Sequence, residues 1–276
     1  MSMQYTRLGR TGLQVSRLCL GTMTFGLQCE ERTSVAIMDK AFGAGVTFFD
    51  TADVYPLGGT GDTVGRTEEI VGRWLHGRRD RIILATKCFG RSGPNRWDQG
   101  NSRKHILDAV DASLRRLNTD YIDLYQVQPR YNLLFREIER ELLPLCREEG
   151  IGVIPYNPIA GGLLSGKHNR DSGPEEGSRF TLGTAAERYQ DRYWHEAMFE
   201  TVEQLRPIAN DAGMALPQMA VAWVLANPAV TAPIIGASRP EQLDDTLKAA
   251  EAPMNAELKK TLDSLTAQYR RGDAAR

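Results

Sequence analysis

The sequence predicts an α/β fold, and within that class a parallel barrel of the (β/α)8 TIM type, from two observations. Short segments rich in Ile, Val, Leu and Phe alternate with helix-patterned stretches, as strands buried on both faces alternate with their crossovers. Polar residues able to do chemistry follow the strand ends: Asp50 and Tyr55, Lys87, Gln126 and Gln128, Tyr156 and Asn157. A barrel gathers such positions over one face, whereas an open sheet spreads them along a crevice. In chain order, residues 5–14 read as a hairpin capping the barrel bottom, and strands are expected at 16–21, 47–50, 81–87, 121–127, 152–156 and 230–235. Helices are expected at 34–44, 68–75, 102–117, 136–149, 198–212, 216–226 and 240–250. Gly45 closes the first, Thr67 caps the second, Ser102 starts the third and Gly150 stops the fourth. The third repeats Ile106, Leu107, Val110, Leu114 and Leu117 on one face. Residues 167–183, rich in Gly, Pro and charge, read as one long mobile loop. No linker or repeat divides residues 1–276, so a single domain is expected. Six strands stand where a closed barrel of this type needs eight, so about two βα units are missing.

At 276 residues the chain is long enough for one such barrel. Its net charge of −1, from 34 basic and 35 acidic residues, provides no field for nucleic acid or an anionic membrane. Residues 1–10 lack an apolar signal region and no apolar run approaches membrane-spanning length, so a cytoplasmic location is expected. Cys19, Cys29, Cys88 and Cys146 are scattered and read as free thiols in a reducing compartment. His76, His105, His168 and His195 are isolated, so no metal site is expected.

Three stretches carry candidate chemistry. "FFDTADVYP" (48–56) and "IILATK" (82–87) place Asp50, Tyr55 and Lys87 at or just after two strand ends. A carboxylate beside a lysine compensates its charge, and that ammonium lowers a neighbouring phenol's pKa from its usual ~10. A tuned tyrosine is then a general acid for a carbonyl oxygen, although a lone Tyr or Lys in such a place is more often a surface residue. "GGLLSGKH" (161–168) comes within one residue of a P-loop, with His168 where Ser or Thr would bind magnesium. Its glycine-rich turn can still cradle a pyrophosphate through backbone amides. "PIIGASRPEQL" (233–243) reads as strand, tight turn at Gly236, and a helix from Pro240 whose N-terminus, with Ser238 and Arg239, is a phosphate site or else a capped surface helix. "GGTGDTVG" (58–65) fits a flexible loop better than a dinucleotide fingerprint, and Trp223 reads as core.

Taken together, "LGRTGLQVSRLCLGTMTFG" (8–26), "FFDTADVY" (48–55), "ILATK" (83–87), "SLRRLNTDYIDLYQV" (113–127), "QPRYNLL" (128–134), "IPYNPIAGGLLSGK" (154–167) and "IIGASRPEQL" (234–243) resemble the aldo-keto reductase family, on the branch related to potassium-channel β subunits. The resemblance implies an eight-stranded barrel that binds NADP(H) without a Rossmann domain and reduces small aldehydes or ketones by direct hydride transfer. It implies Tyr55 as proton donor with Lys87 and Asp50 tuning it. It implies Gln128 at the nicotinamide carboxamide, Tyr156 stacked beneath the ring, and Gly162, Leu163 and Lys167 along the pyrophosphate. Gly236, Ser238, Arg239 and Gln242 would hold the adenosine end, Arg239 favouring the 2′-phosphate. Thr246 stands where the family has an asparagine.

In relatives, "LYQV" is followed by a catalytic histidine, while "QPRYN" resembles the end of the sixth strand. Here the two meet at Val127 and Gln128, which removes the histidine, the fifth strand and its cofactor-binding Ser-Asn pair. The short chain is a deletion that still folds, a sequence with residues left out, or a cofactor binder without turnover. A regulatory or interaction protein of that last kind is the alternative to an enzyme, and a P-loop hydrolase a further one. The partner expected is a small carbonyl substrate, and homo-oligomers are compatible with these residues.

Overall fold

The computed structural model of the protein describes residues 3–126, 128–251 and 254–275. Val127, half of the junction, lies outside the described residues. The chain forms two compact units, one made of Cys19–Val127 with Gly236–Leu243 and the other of Met1–Leu18, Gln128–Ile235 and Asp244–Arg276. We call them the alternating unit and the composite unit.

The composite unit begins with β1 (Tyr5–Arg7) and β2 (Gln14–Ser16), an antiparallel hairpin that pairs Tyr5 with Ser16. The hairpin takes Ser16, so the strand expected at 16–21 starts only at Cys19.

In the alternating unit four parallel strands, β3 (Cys19–Gly21), β4 (Phe48–Asp50), β5 (Ile83–Thr86) and β6 (Leu124–Tyr125), lie in the order β6-β5-β4-β3. Register places Cys19 beside Phe48, Phe48 beside Ile83 and Ala85 beside Leu124. These four strands do not close on themselves. Helices α1 (Glu31–Gly43), α2 (Arg66–Leu75) and α3 (Arg103–Leu117) are the crossovers. β3 and β4 are wholly buried, which is why their sequences run apolar rather than alternating. Trp74 of α2 stacks on Phe49 at 5.1 Å and donates its indole N–H to Asp39 at 2.8 Å, so one ring serves core and polar rim together. Where α2 meets α3, a Cβ on Gly72 would come within 2.6 Å of the Arg116 carbonyl, so only glycine permits this approach. Ser102 caps α3 by accepting from the His105 amide at 3.2 Å, as its position predicts. Thr67 does not cap α2: Gly65 occupies the N-cap, and the Thr67 hydroxyl donates to the Phe25 carbonyl at 2.7 Å.

The composite unit continues with α4 (Leu142–Glu149), α5 (Ala186–Tyr193), α6 (Glu196–Asp211), α7 (Leu216–Leu225) and the two-residue strand β7 (Ile234–Ile235). Helix α8 (Leu243–Lys248) follows, then α9 (Ala256–Leu265), capped by Asn255. The strands expected at 152–156 and 230–235 survive mainly as single parallel bridges, Val153 to Val230 and Tyr156 to Ile234, with a third from Arg130 to Tyr156. Pro129, Pro155, Pro158 and Pro233 in these segments lack the amide a continuous ladder needs. Pro144 likewise shortens the helix expected at 136–149. Pro144 lacks the amide that a helix running through from 136 would need, and it sits instead in the first turn of α4, which begins at Leu142 after a separate 3-10 turn at Glu137–Glu139. Gly150 closes α4 in the left-handed region, as expected. The stretch 167–183 is not one loop: it holds a 3-10 turn at Arg179–Thr181 and leads into α5, which was not predicted. The helix expected at 240–250 is a 3-10 turn at Pro240–Gln242 followed by the six residues of α8. Trp223 is core, fully buried, 5.0 Å from Tyr131, its N–H donated to Asp263 at 2.9 Å. Among the described residues no helix is long and apolar enough to cross a membrane.

Candidate active site

Within the alternating unit, the ends of β4, β5 and β6 bring one charged cluster together. Asp50, the last residue of β4, is 2% exposed. Lys87, next after β5, reaches both Asp50 carboxylate oxygens at 2.9 Å and the Thr51 carbonyl at 2.8 Å. The ammonium is therefore held firmly on the Asp50 carboxylate, and it also hydrogen-bonds Tyr55. Its Nζ lies 4.8 Å from the centre of the Tyr55 ring. Burial by itself lowers the Lys87 pKa, but the Asp50 and Tyr55 charges and hydrogen bonds outweigh it and hold it above the usual lysine value. The result is a permanent cation against a half-exposed phenol, the arrangement that eases a proton off tyrosine. A turn fixes Tyr55: its amide donates to Ala52 at 3.2 Å and its carbonyl accepts from Gly65 at 3.0 Å.

Sequence reading noticed one further member of the cluster without assigning it a role. Gln126, just after β6, donates its side-chain amide to Asp50 Oδ1 at 2.6 Å. The sequence placed it only among the polar residues that follow strand ends, and its N–H is committed to the carboxylate. A polar residue ending an otherwise apolar strand was the available signal, but only the pairing of β5 with β6 identifies its partner. Behind these groups Glu68, fully buried on α2, accepts from Thr86 and from Arg116 Nε, each at 2.7 Å. Neither residue was singled out by sequence.

The expected cofactor residues divide between the units. Ser238 donates from both its amide (2.8 Å) and hydroxyl (3.2 Å) to Gln242 Oε1, closing the turn before Pro240. Gln242 therefore keeps only its amide nitrogen for a ligand. Arg239 is exposed and forms no ion pair among the described residues. Gly236 is exposed, and a Cβ there would meet nothing nearer than the Gly21 carbonyl at 3.8 Å. A free guanidinium, an amide and an open backbone on one turn fit a phosphate-bearing nucleotide. In the composite unit, Tyr156 is half-buried between the Arg130 and Ile234 bridges, and Gln128 is half-exposed. Gly162 has φ of 106°, closed to most side chains, and its amide donates to Ile159 at 2.9 Å. Leu163 is 1% exposed, so its side chain is core and only its backbone could face a ligand. Lys167 pairs with Glu175 at 3.1 Å, so a bound pyrophosphate would have to displace that contact.

The P-loop reading does not survive. His168 is 7% exposed and packs edge-on to Phe180 at 5.0 Å and Trp194 at 5.6 Å. Burial, with the Lys167 charge beside it, pushes its pKa down to about 4. The four cysteines are free and buried, and burial raises each thiol's pKa. Among the described residues no group of His, Cys, Asp and Glu could hold a metal ion.

The sequence model described as "Aldo/keto reductase family" matches residues 17–128 and 125–267, two stretches that overlap at 125–128. A Bacillus subtilis (strain 168) protein named "Uncharacterized oxidoreductase YrpG" is 35% identical over 327 residues, covering 95% of this chain and 96% of that protein. That alignment exceeds the 276 residues of this chain by 51, so at least that many positions of the relative face a gap. An Arabidopsis thaliana protein named "Probable voltage-gated potassium channel subunit beta" is 34% identical over 314 residues, covering 90% and 92% of the two chains. Escherichia coli (strain K12) "L-glyceraldehyde 3-phosphate reductase" is 29% identical over 308 residues, covering 90% and 87%.

Proposed function

The chain belongs to the aldo/keto reductase family, whose members are nicotinamide-dependent oxidoreductases of carbonyl compounds, and on that premise we propose that it reduces small aldehydes or ketones with NADPH. The observation that carries this reading is the Lys87 ammonium, locked on Asp50 and set against the Tyr55 ring. When bound, the nicotinamide supplies a hydride to the carbonyl carbon. Tyr55 gives its proton to the carbonyl oxygen, Lys87 stabilises the phenolate left behind, and Asp50 holds Lys87 in place. Gln126 in turn orients Asp50 through its 2.6 Å bond. Gln128 and Tyr156 orient the nicotinamide, the Gly162 and Leu163 backbone and Lys167 follow the pyrophosphate, and Gly236, Ser238, Arg239 and Gln242 take the adenosine phosphate end. Residues 1–276 act as one cytoplasmic domain.

Residues 126–128 lack the histidine that the family places after its fourth strand, and the Gln126 amide does not replace it, being bound to Asp50. Loss of one polarising donor typically costs ~10²–10³ in turnover. NADPH oxidation with small aldehydes should therefore be measurable but slow, and Tyr55→Phe should abolish it while changing NADPH affinity only a few-fold. Turnover retained in that variant would remove Tyr55 as donor. Arg239→Ala should weaken NADPH by roughly ten- to a hundred-fold, a charged contact being worth ~1.5–3 kcal/mol, and leave NADH little changed. Equal loss of both in fluorescence titrations would refute the 2′-phosphate assignment. The committed Gln126 amide also favours a second reading, a cofactor-binding regulatory protein, which predicts NADPH binding with no oxidation at all.

A further inference from the structure

The buried layer behind the candidate active site contains one more carboxyl group than it has cations to pair. Its cations are Lys87, taken by Asp50, and Arg116, taken by Glu68. The third carboxyl is Asp53, in the turn between β4 and Tyr55. It is 1% exposed, its oxygens pair with no cation, and the Val54 backbone amide faces them without a close hydrogen bond. Its backbone amide donates to the Lys87 carbonyl at 3.1 Å, which ties this turn to the residue that carries the catalytic ammonium. The titratable and charged groups that act on it or feel it are Glu68 on α2, Lys87 and Cys88 after β5, Arg116 on α3 and Tyr125 on β6. The Tyr125 hydroxyl is also buried, against the Cys88 thiol. Burial raises the pKa of Cys88 and of Tyr125, so both keep their protons and add no negative charge of their own beside Asp53.

An ionised carboxylate buried without an ion pair is costly, and such a group keeps its proton instead. We propose that Asp53 is a positioning residue for the reduction: it sits in the fold as a neutral acid, and its ionisation weakens Tyr55 as a proton donor by cancelling part of the Lys87 field. This rests on the reading of Tyr55 as donor. Burial first, then the Glu68 charge, pushes the Asp53 pKa up to about 7, against the pulls of Arg116, the Val54 amide and Lys87. As pH rises through that value Asp53 gives its proton to solvent. The new negative charge then opposes the lysine field that makes the phenol acidic.

Asp53→Asn keeps the shape of the neutral acid and cannot ionise. The ratio of variant to wild-type NADPH oxidation should rise about three- to tenfold between about pH 6 and about pH 8.5, as the wild type alone acquires the charge. Glu68→Gln leaves Asp53 in place and frees Arg116 to pair with it, so the wild-type change should move to lower pH. A flat ratio, in an enzyme that Tyr55→Phe silences, overturns the role of Asp53 alone. Turnover that survives Tyr55→Phe overturns the donor reading and the proposal with it. Thermal unfolding supplies an arm that needs no turnover. An acid whose folded pKa of about 7 exceeds its unfolded 3.8 loses stability as pH rises between those values. The wild-type melting temperature should fall relative to that of Asp53→Asn from about pH 4 to about pH 7 and run parallel above. Curves parallel throughout would show that Asp53 is ionised in the fold, and would end the proposal.

Discussion

The alternating and composite units solve the burial of polar groups in different ways. The first arranges strand and helix in regular turn, and its interior holds ionised pairs: Lys87 with Asp50, and Arg116 with Glu68. The second has mostly single bridges in place of strands, and much of its interior is aromatic. His168, Phe180, Trp194 and Phe199 pack edge to face at 4.8 to 5.6 Å. Its polar interior combines a neutral cluster, Asn132 and Asn157 bonded to the Tyr193 hydroxyl at 3.0 and 2.9 Å, with a buried ion pair of its own, Arg136 to both Glu139 carboxylate oxygens at 2.9 Å. Charges inside a fold demand partners fixed by backbone geometry, which the sheet supplies for Lys87 and Asp50 and the short turn Glu137–Glu139 supplies for Arg136. Aromatic packing tolerates irregular chain, so it suits segments interrupted by proline.

The largest way to break this contrast lies in the alternating unit. Arg116→Met strands the fully buried Glu68 carboxylate and should destabilise by about 3–5 kcal/mol in urea unfolding. Replacing Glu68 by Met as well should recover most of that loss, since what costs is the unpaired charge rather than the missing pair. No recovery would mean that the pair itself supplies the stability.

The composite unit should respond to acid instead. A histidine whose folded pKa stands at about 4, below the usual imidazole value of 6.5, stabilises the fold only while it is neutral in both states. As pH falls below 6.5 the unfolded chain takes up a proton that the folded chain refuses. Stability should drop by on the order of 3 kcal/mol by about pH 4, and His168→Phe should flatten that slope in urea midpoints. An unchanged slope would place the acid sensitivity elsewhere.

The smallest effect sharpens the point about burial. Arg73 and Glu31 form a short bidentate pair at 2.6 and 2.9 Å, yet both side chains are about half exposed. Arg73→Ala should cost under about 1 kcal/mol, and less in high salt. A loss rivalling that of Arg116→Met would erase the distinction between buried and exposed pairs.

What could be read from sequence follows the same division. Asp50, Lys87 and the Ser102 cap were legible because regular alternation puts strand ends and helix starts at countable positions. Spacing gives a face but no partner, so Gln126 was noticed and its bond to Asp50 was not. Thr67 looked like a cap because caps and buried hydroxyls share residue types, and only the position of Phe25 decides between them. In the composite unit, proline cut the segments at 152–156 and 230–235 below strand length, although their apolar pattern reads as strand. Helix α5 was missed because its buried face is only Tyr189 and Tyr193, one turn apart in a charged stretch. The extra carboxyl at Asp53 was visible as a letter in "FFDTADVYP", but its lack of a partner appears only once the surrounding elements are in place.

The prolines of the composite unit have a consequence beyond pairing within it. An extended segment recruits a strand from another molecule by offering an unbroken row of amides and carbonyls. Pro129, Pro155 and Pro233 break that row beside the Arg130, Tyr156 and Ile234 bridges. A foreign strand laid along these segments would find gaps where hydrogen bonds should form. The irregularity that weakens the unit's own ladders thus makes it a poor template for aggregation.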